Sequence, residues 1–266
     1  MRETLALIRA SWFTATSYRL NIVISLVGLL VSVIPLYFVT HALQPVMANA
    51  IRTEGGEYFG FLLVGMVAYS FLTVAVNGLP GAVGSGIGTG TLEALLATPT
   101  RLPWLLSGLV GYGFIWTLIR AVLLLVAGVV FGAHIAIAGI PASMLILALL
   151  ILAYIPFGII GAALVLAFRT TGPLLSGILL VSGLLGGVYY PTHVIPSWIR
   201  SVSDVVPLTY GLRALRQTLL QGDSLRVVAP DIIALVGFVM VLMSLSIVTF
   251  MMAIHYARRA GTLAQY

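Results

Sequence analysis

Long uncharged runs separated by short polar stretches set the pattern of this chain. No charge falls between Arg19 and Arg52, and residues 20–40 predict a first membrane-crossing helix, since about 20 predominantly apolar residues suffice to cross. Glu57 and Glu93 bound a second uncharged stretch, whose apolar part predicts a helix over 58–79. A third follows over 104–130, interrupted only by Arg120. From Ala121 to Phe168 the chain is again uncharged and too long for one crossing. The stretch from Gly132 to Pro141, with His134 and two glycines, is the natural break, so the fourth helix is expected over 142–168. Residues 172–188 and 232–254 predict the fifth and sixth. Six crossings put both termini on one side of the membrane.

The first 19 residues follow another rule. Leu5, Ile8, Trp12 and Phe13 recur at helical spacing, with Arg2, Arg9 and Arg19 elsewhere around the wheel. That arrangement suits a helix lying in the membrane interface; a frayed tail is the bland alternative. With no sustained apolar core and no small-residue cleavage site, the segment does not read as a signal peptide.

Composition turns these helices into a fold class. Hydrophobic residues make up 61% of the chain and charged residues 8%, against about 25% charged in a soluble domain. Even a large soluble domain buries only about 75% of the surface its unfolded chain exposes, so this much apolar surface needs a bilayer. The expectation is an all-α integral membrane protein of six transmembrane helices, an N-terminal interfacial helix and short outer re-entrant helices between spans five and six.

Charge sets the orientation. All 13 basic residues are arginine. If the N-terminus is cytoplasmic, Arg2, Arg9, Arg19, Arg101, Arg169, Arg258 and Arg259 lie inside; Arg52, Arg200, Arg213, Arg216 and Arg226 lie outside. Four of the outer five fall in one long loop, and the short segments favour cytoplasmic termini. The acids fall the other way, with Glu3 and Glu93 inside and the remaining five outside. The net charge of +6 therefore reads as a topology signal, not as a nucleic-acid footprint. Without cysteine, thiolate metal sites and cysteine nucleophiles are excluded. Without lysine, so is a P-loop of the chain's own, because that loop needs a lysine to reach the phosphates.

Two connectors are more than turns. The first, 81–103, carries glycines at 81, 84, 86, 88 and 90. It reads as a glycine-rich bend followed by a short helix from Thr91 to Ala97, stopped by Pro99 and Pro103. Glu93 sits in that helix's first turn, where its charge favours the helix dipole; helix stabilisation is one reading of it and partner contact the other. The second connector, 189–228, is punctuated by Pro191, Pro196 and Pro207. Its amphipathic segments, 197–206 and 208–220, read as helices dipping into the outer interface, with Tyr189, Tyr190, Trp198 and Tyr210 as headgroup-level anchors.

Both connectors carry a resemblance. The run GTLEALLATPTRLPWLLSG, from Gly90 to Gly108, resembles the cytoplasmic connector of the type-2 permeases of ATP-binding-cassette (ABC) exporters. YYPTHVIPSWIRSVSDVVPLTYGLRALR resembles their outer connector, with P-x-x-x-x-P-x-W and P-L-T-Y-x-x-x-x-L-R elements. The glycine density before Thr91 departs from the family pattern. The resemblance implies a membrane permease subunit with no ATPase site, pairing with a second permease copy (identical or a close paralogue). It also implies a separate nucleotide-binding subunit that holds ATP and Mg. The docking contact would be Gly90, Thr91, Leu92, Glu93, Leu95, Leu96, Pro99 and Arg101.

No predicted span holds Asp or Glu in its interior, which argues against a proton relay and leaves a stand-alone secondary transporter or membrane-embedded enzyme as the alternative function. His41, His134, His193 and His255 lie near span ends without metal spacing, so no metal site or catalytic residue is expected. Arg120 has two readings: snorkelling to the outer headgroups, or lining a translocation path or gate together with Tyr189 and Tyr190. The apolar spans favour a hydrophobic or amphiphilic cargo such as a drug, lipid or lipid-linked glycan. The expected location is the cytoplasmic membrane.

Overall fold

The computed structural model describes residues 9, 12–13, 19–91, 102–168, 170 and 173–259. Eight α-helices lie among them: α1 (Arg19–Met47), α2 (Tyr58–Gly88), α3 (Leu102–Val130), α4 (Ile140–Phe168), α5 (Leu174–Leu185), α6 (Ser197–Ser203), α7 (Pro207–Leu220) and α8 (Ala229–Arg259). Among the described residues no strand occurs. Five helices, α1, α2, α3, α4 and α8, are long and apolar enough to cross a membrane.

The long helices alternate in direction, so their connections gather at two ends. One, the connector end, holds residues 48–57, 131–139, 186–206 and 221–228. The other holds the start of α1 and the junctions of α2 with α3 and of α4 with α5. α2 is the axis of the bundle: 72% of its apolar window is buried, against 6% for α1 and 11% for α8. α3 and α4 both pack on α2, and α4 also packs on α8. Since lipid tails are as apolar as leucine, such packing rests on close fit more than on water exclusion. Gly158 of α4 shows the fit: a Cβ there would collide with the Ala75 carbonyl oxygen of α2.

Three sequence expectations change. The helix predicted over 58–79 runs through Pro80 to Gly88, so the expected glycine-rich bend is helical. Where little water competes for backbone hydrogen bonds, glycine costs a helix less. Its lack of side chain lets Val110 of α3 approach Gly78, where a Cβ would lie 2.8 Å from the Val110 Cγ1. The chain turns only at Gly90, whose φ of 67° lies where glycine is at ease.

The fifth predicted span is a helix of 12 residues, about 18 Å long against the roughly 30 Å of a hydrocarbon core. Pro173 opens it and Gly187, at φ 85°, lies just beyond its end.

The third change concerns the outer connector. α7 does not skim a surface: Leu208, Leu212, Leu215 and Leu219 are buried, in one core with Ile146 and Leu150 of α4 and Leu72 of α2. The apolar stripe read as membrane-facing is satisfied by protein, in the space that the short α5 leaves free. Leu208 packs on Gly186, and Gly211 lies against Leu150. Trp198 on α6 remains 78% exposed.

Of the N-terminal segment, Arg9, Trp12 and Phe13 are described and helical. Arg9 lies over the Phe13 ring, and Trp12 meets Tyr112 of α3 edge-on at 6.1 Å.

Candidate functional site

Polar groups collect at the connector end, and α7 organises them. Arg216 is 2% exposed, on the same helical face as Leu208, Leu212 and Leu219. Its Nη1 donates to Glu54 Oε2 at 2.9 Å, Nη2 to the Gly187 and Val188 carbonyls at 2.8 and 3.3 Å, and Nε to the Phe61 carbonyl at 3.3 Å. The guanidinium lies 3.3 Å from the Phe61 ring centre, in the geometry of a cation–π contact. Burial pushes its pKa down to about 10, with Glu54 pulling the other way, so it remains charged at neutral pH. One side chain thus ties α7 to the turn at Arg52–Glu54, to α2 and to the end of α5. Gly65 makes room: a Cβ there would lie 2.7 Å from the Val188 carbonyl oxygen and 3.1 Å from Arg216 Nη2.

Further contacts brace the same end. Arg213 forks onto Asp231, with Nη2 to Oδ1 at 2.7 Å and Nε to both carboxylate oxygens at 3.1 and 3.2 Å. Asp231 stands in the first turn of α8, where a negative charge also favours the dipole. Gln44 accepts from the Tyr58 N–H and donates to the Gly56 carbonyl, occupying a donor at the start of α2 that no helical carbonyl reaches. The Tyr58 hydroxyl donates to the Tyr189 carbonyl at 2.9 Å.

Deeper in the bundle lies a cavity of about 410 Å³ between α1, α2 and α3, bounded at the connector end by Val188 and Tyr189. Arg120 lines it, exposed, about 15 Å down α3 from Val130. Around it stand Ser32, Tyr69, Ser70, Thr73 and Thr117. Arg120 and Tyr189, predicted as members of one path, therefore share a cavity; Tyr190, half-buried, is not among its lining residues. On the other side of α3, between it and α4, a groove of about 740 Å³ is lined almost wholly by apolar side chains. α3 is the wall between a space of mixed lining, where Leu29, Met66, Val74 and Leu124 stand beside the hydroxyls, and an oily one.

With this geometry in place, comparison with known proteins supplies a family. The sequence model of ABC-2 type transporters matches residues 1–220. The chain belongs to that family. It is an ABC-type permease and a multi-pass membrane protein, from a family of transport subunits without an ATPase domain that generally works with an ABC ATPase subunit. No curated protein matches the sequence.

In an ABC-2 permease the connector after α2 draws attention. Gly90 and Thr91 are described: Thr91 Oγ1 lies 2.8 Å from Thr89 Oγ1, and Thr91 borders a cavity of about 420 Å³ between α2 and α3. Leu92, Glu93, Leu95, Leu96, Pro99 and Arg101, the rest of the expected docking contact, lie outside the described residues. Among the described residues no group of three or more His, Asp or Glu could hold a metal ion.

The residue that sequence reasoning passed over is Arg216. It closes the P-L-T-Y-x-x-x-x-L-R element, yet charge counting ranks it only as one of five outer arginines. The available signal was its spacing: a charge in register with Leu208, Leu212 and Leu219 must face what they face.

Proposed function

We propose that this chain is the membrane subunit of an ATP-driven exporter that moves a hydrophobic or amphiphilic substrate out of the cytoplasm. A separate nucleotide-binding subunit, carrying ATP and Mg, docks on the segment from Gly90 to Arg101. A second permease copy completes the complex in the cytoplasmic membrane. The chain crosses six times with both termini cytoplasmic. α5 is the short fifth crossing, and α6 and α7 enter the bundle from outside and return. The connector end is then the outer end, with five arginines balanced by five acids, while the inner segments carry seven arginines against two acids. That asymmetry has the sign of the positive-inside rule.

The observation that carries the reading is α2. Its flank lines the Arg120 cavity through Tyr69, Ser70 and Thr73, and its far end leads directly into Gly90 and Thr91. A path wall and a docking connector on one helix are what coupling of transport to a soluble engine requires. The test is charge reversal at Glu93 in the assembled complex. Glu93→Arg should leave insertion and assembly near normal while lowering transport and stimulation of the partner's ATPase, because charges across a contact set register more than affinity. Normal export by a normally assembled Glu93→Arg complex would remove the docking assignment. Robust ATP hydrolysis by the pure permease alone would remove the subunit reading. Single cysteines at Ser224 and Thr98 should label from outside and only after membrane opening, respectively.

A further inference from the structure

The Arg120 cavity has a donor and acceptor inventory that specifies a ligand chemistry. Four of its hydroxyls already spend their protons on backbone carbonyls: Ser32 on Leu29 at 2.6 Å, Ser70 on Val67 at 2.7 Å, Thr73 on Tyr69 at 3.0 Å and Tyr69 on Leu179 at 3.1 Å. Each therefore presents only lone pairs to the cavity. Donors come from α3 and from the Tyr189 hydroxyl. Thr117 and Arg120 are three residues apart and so share a face of that helix, and neither side chain has a hydrogen-bond or ion-pair partner among the described residues. No carboxylate lines the space, and the described acids, Glu54, Glu57, Asp204, Asp223 and Asp231, all belong to the connector end. The cavity thus holds one uncompensated cation and four hydroxyl oxygens that can only accept, beside the Thr117 and Tyr189 hydroxyls that can still donate.

We propose that this cavity binds an anionic headgroup that also bears hydroxyls, of the phosphoglycerol or glycosyl-phosphate type. The anionic oxygens would pair with Arg120 and Thr117, and the hydroxyls would donate to the ring of lone pairs. Its volume of about 410 Å³ lies within the range of about 300–1,000 Å³ typical of small-ligand sites. Charge-assisted, forked hydrogen bonds are the strong kind. A phosphocholine headgroup meets only the first requirement: its phosphate can reach Arg120, but its ammonium brings a second cation into the cavity and it has no hydroxyl to donate. The substrate class this names, an anionic hydroxyl-bearing amphiphile, rests on reading the cavity as part of the export path.

The test uses the full-length permease in phosphatidylcholine nanodiscs doped with phosphatidylglycerol, with retained lipids counted by native mass spectrometry. The wild type should prefer phosphatidylglycerol about tenfold or more. Arg120→Gln should abolish the preference and Arg120→Lys restore part of it. Ser70→Leu, which narrows the cavity without touching a charge, should abolish it as well. Preference lost in Arg120→Gln but intact in Ser70→Leu would mean that Arg120 only snorkels to lipid outside the cavity, and would overturn the proposal. No preference in the wild type would overturn it too. Competition by soluble glycerol phosphate supports the site with a free phosphate ester as ligand; no competition supports it with a lipid-borne headgroup. In the assembled complex, phosphatidylglycerol should stimulate ATP hydrolysis through Arg120. Arg120-dependent binding without that stimulation would keep the site and take it off the export path.

Discussion

Two arginines sit within this apolar bundle, and their surroundings are opposites. Arg216 on α7 is buried and fully engaged, with a carboxylate, three carbonyls and an aromatic face around its guanidinium. Arg120 on α3 stands exposed in a cavity with no partner among the described residues. A cation taken out of water costs several kcal/mol unless something compensates it. At Arg216 the fold compensates, and the result is a lock joining four segments. At Arg120 the compensation is left to whatever enters. The same side chain is architecture in one place and an open valence in the other.

The sharpest way to break this contrast is to unpair Arg216. Glu54→Gln leaves a buried, charged guanidinium without its counter-ion and should destabilise the protein by about 3–5 kcal/mol, read as a large loss of thermal stability in detergent. Removing both charges in Glu54→Gln/Arg216→Met should recover much of that loss, because an apolar replacement of a buried pair is often neutral. A double variant as unstable as Glu54→Gln would show that the carbonyl and ring contacts matter more than the ion pair. Asp231→Asn should cost only about 1 kcal/mol, since Arg213, 47% exposed, can return to water. The smallest effect belongs to Arg120→Gln, expected within about 0.5 kcal/mol of the wild type or slightly above it. A loss at Arg120 comparable with that at Glu54 would erase the distinction.

Apolar run length carried most of the fold. α1, α3, α4 and α8 fall where uncharged stretches predict them, because a helix that must satisfy its backbone internally leaves a long, legible trace. What was illegible depends on neighbours. That the run from Gly78 to Gly88 stays helical goes with packing at its start, where Val110 of α3 closes on Gly78, a contact no local pattern announces. The apolar stripe of α7 says that one face is buried, not whether lipid or protein buries it. The Arg216–Glu54 pair joins residues 162 apart in sequence, beyond the reach of any local pattern. Arg120 was visible as an anomaly from the sequence; the hydroxyls that give it a chemistry come from α1 and α2 and become its neighbours only in the bundle.

The contact of Gly158 with the Ala75 carbonyl has a mechanical consequence. α2 has 31 residues, and Ala75 divides it into arms of about 26 Å towards Tyr58 and about 20 Å towards Gly88. Where two helices touch backbone to backbone their separation is fixed, so any tilt of α2 against α4 has to turn about this point. A tilt started at the Gly88 arm would press the Tyr58 arm the opposite way, against the Arg216 and Gln44 contacts that hold it. Pro80, which donates no hydrogen bond to the preceding turn, lies on the short arm and makes it the compliant one.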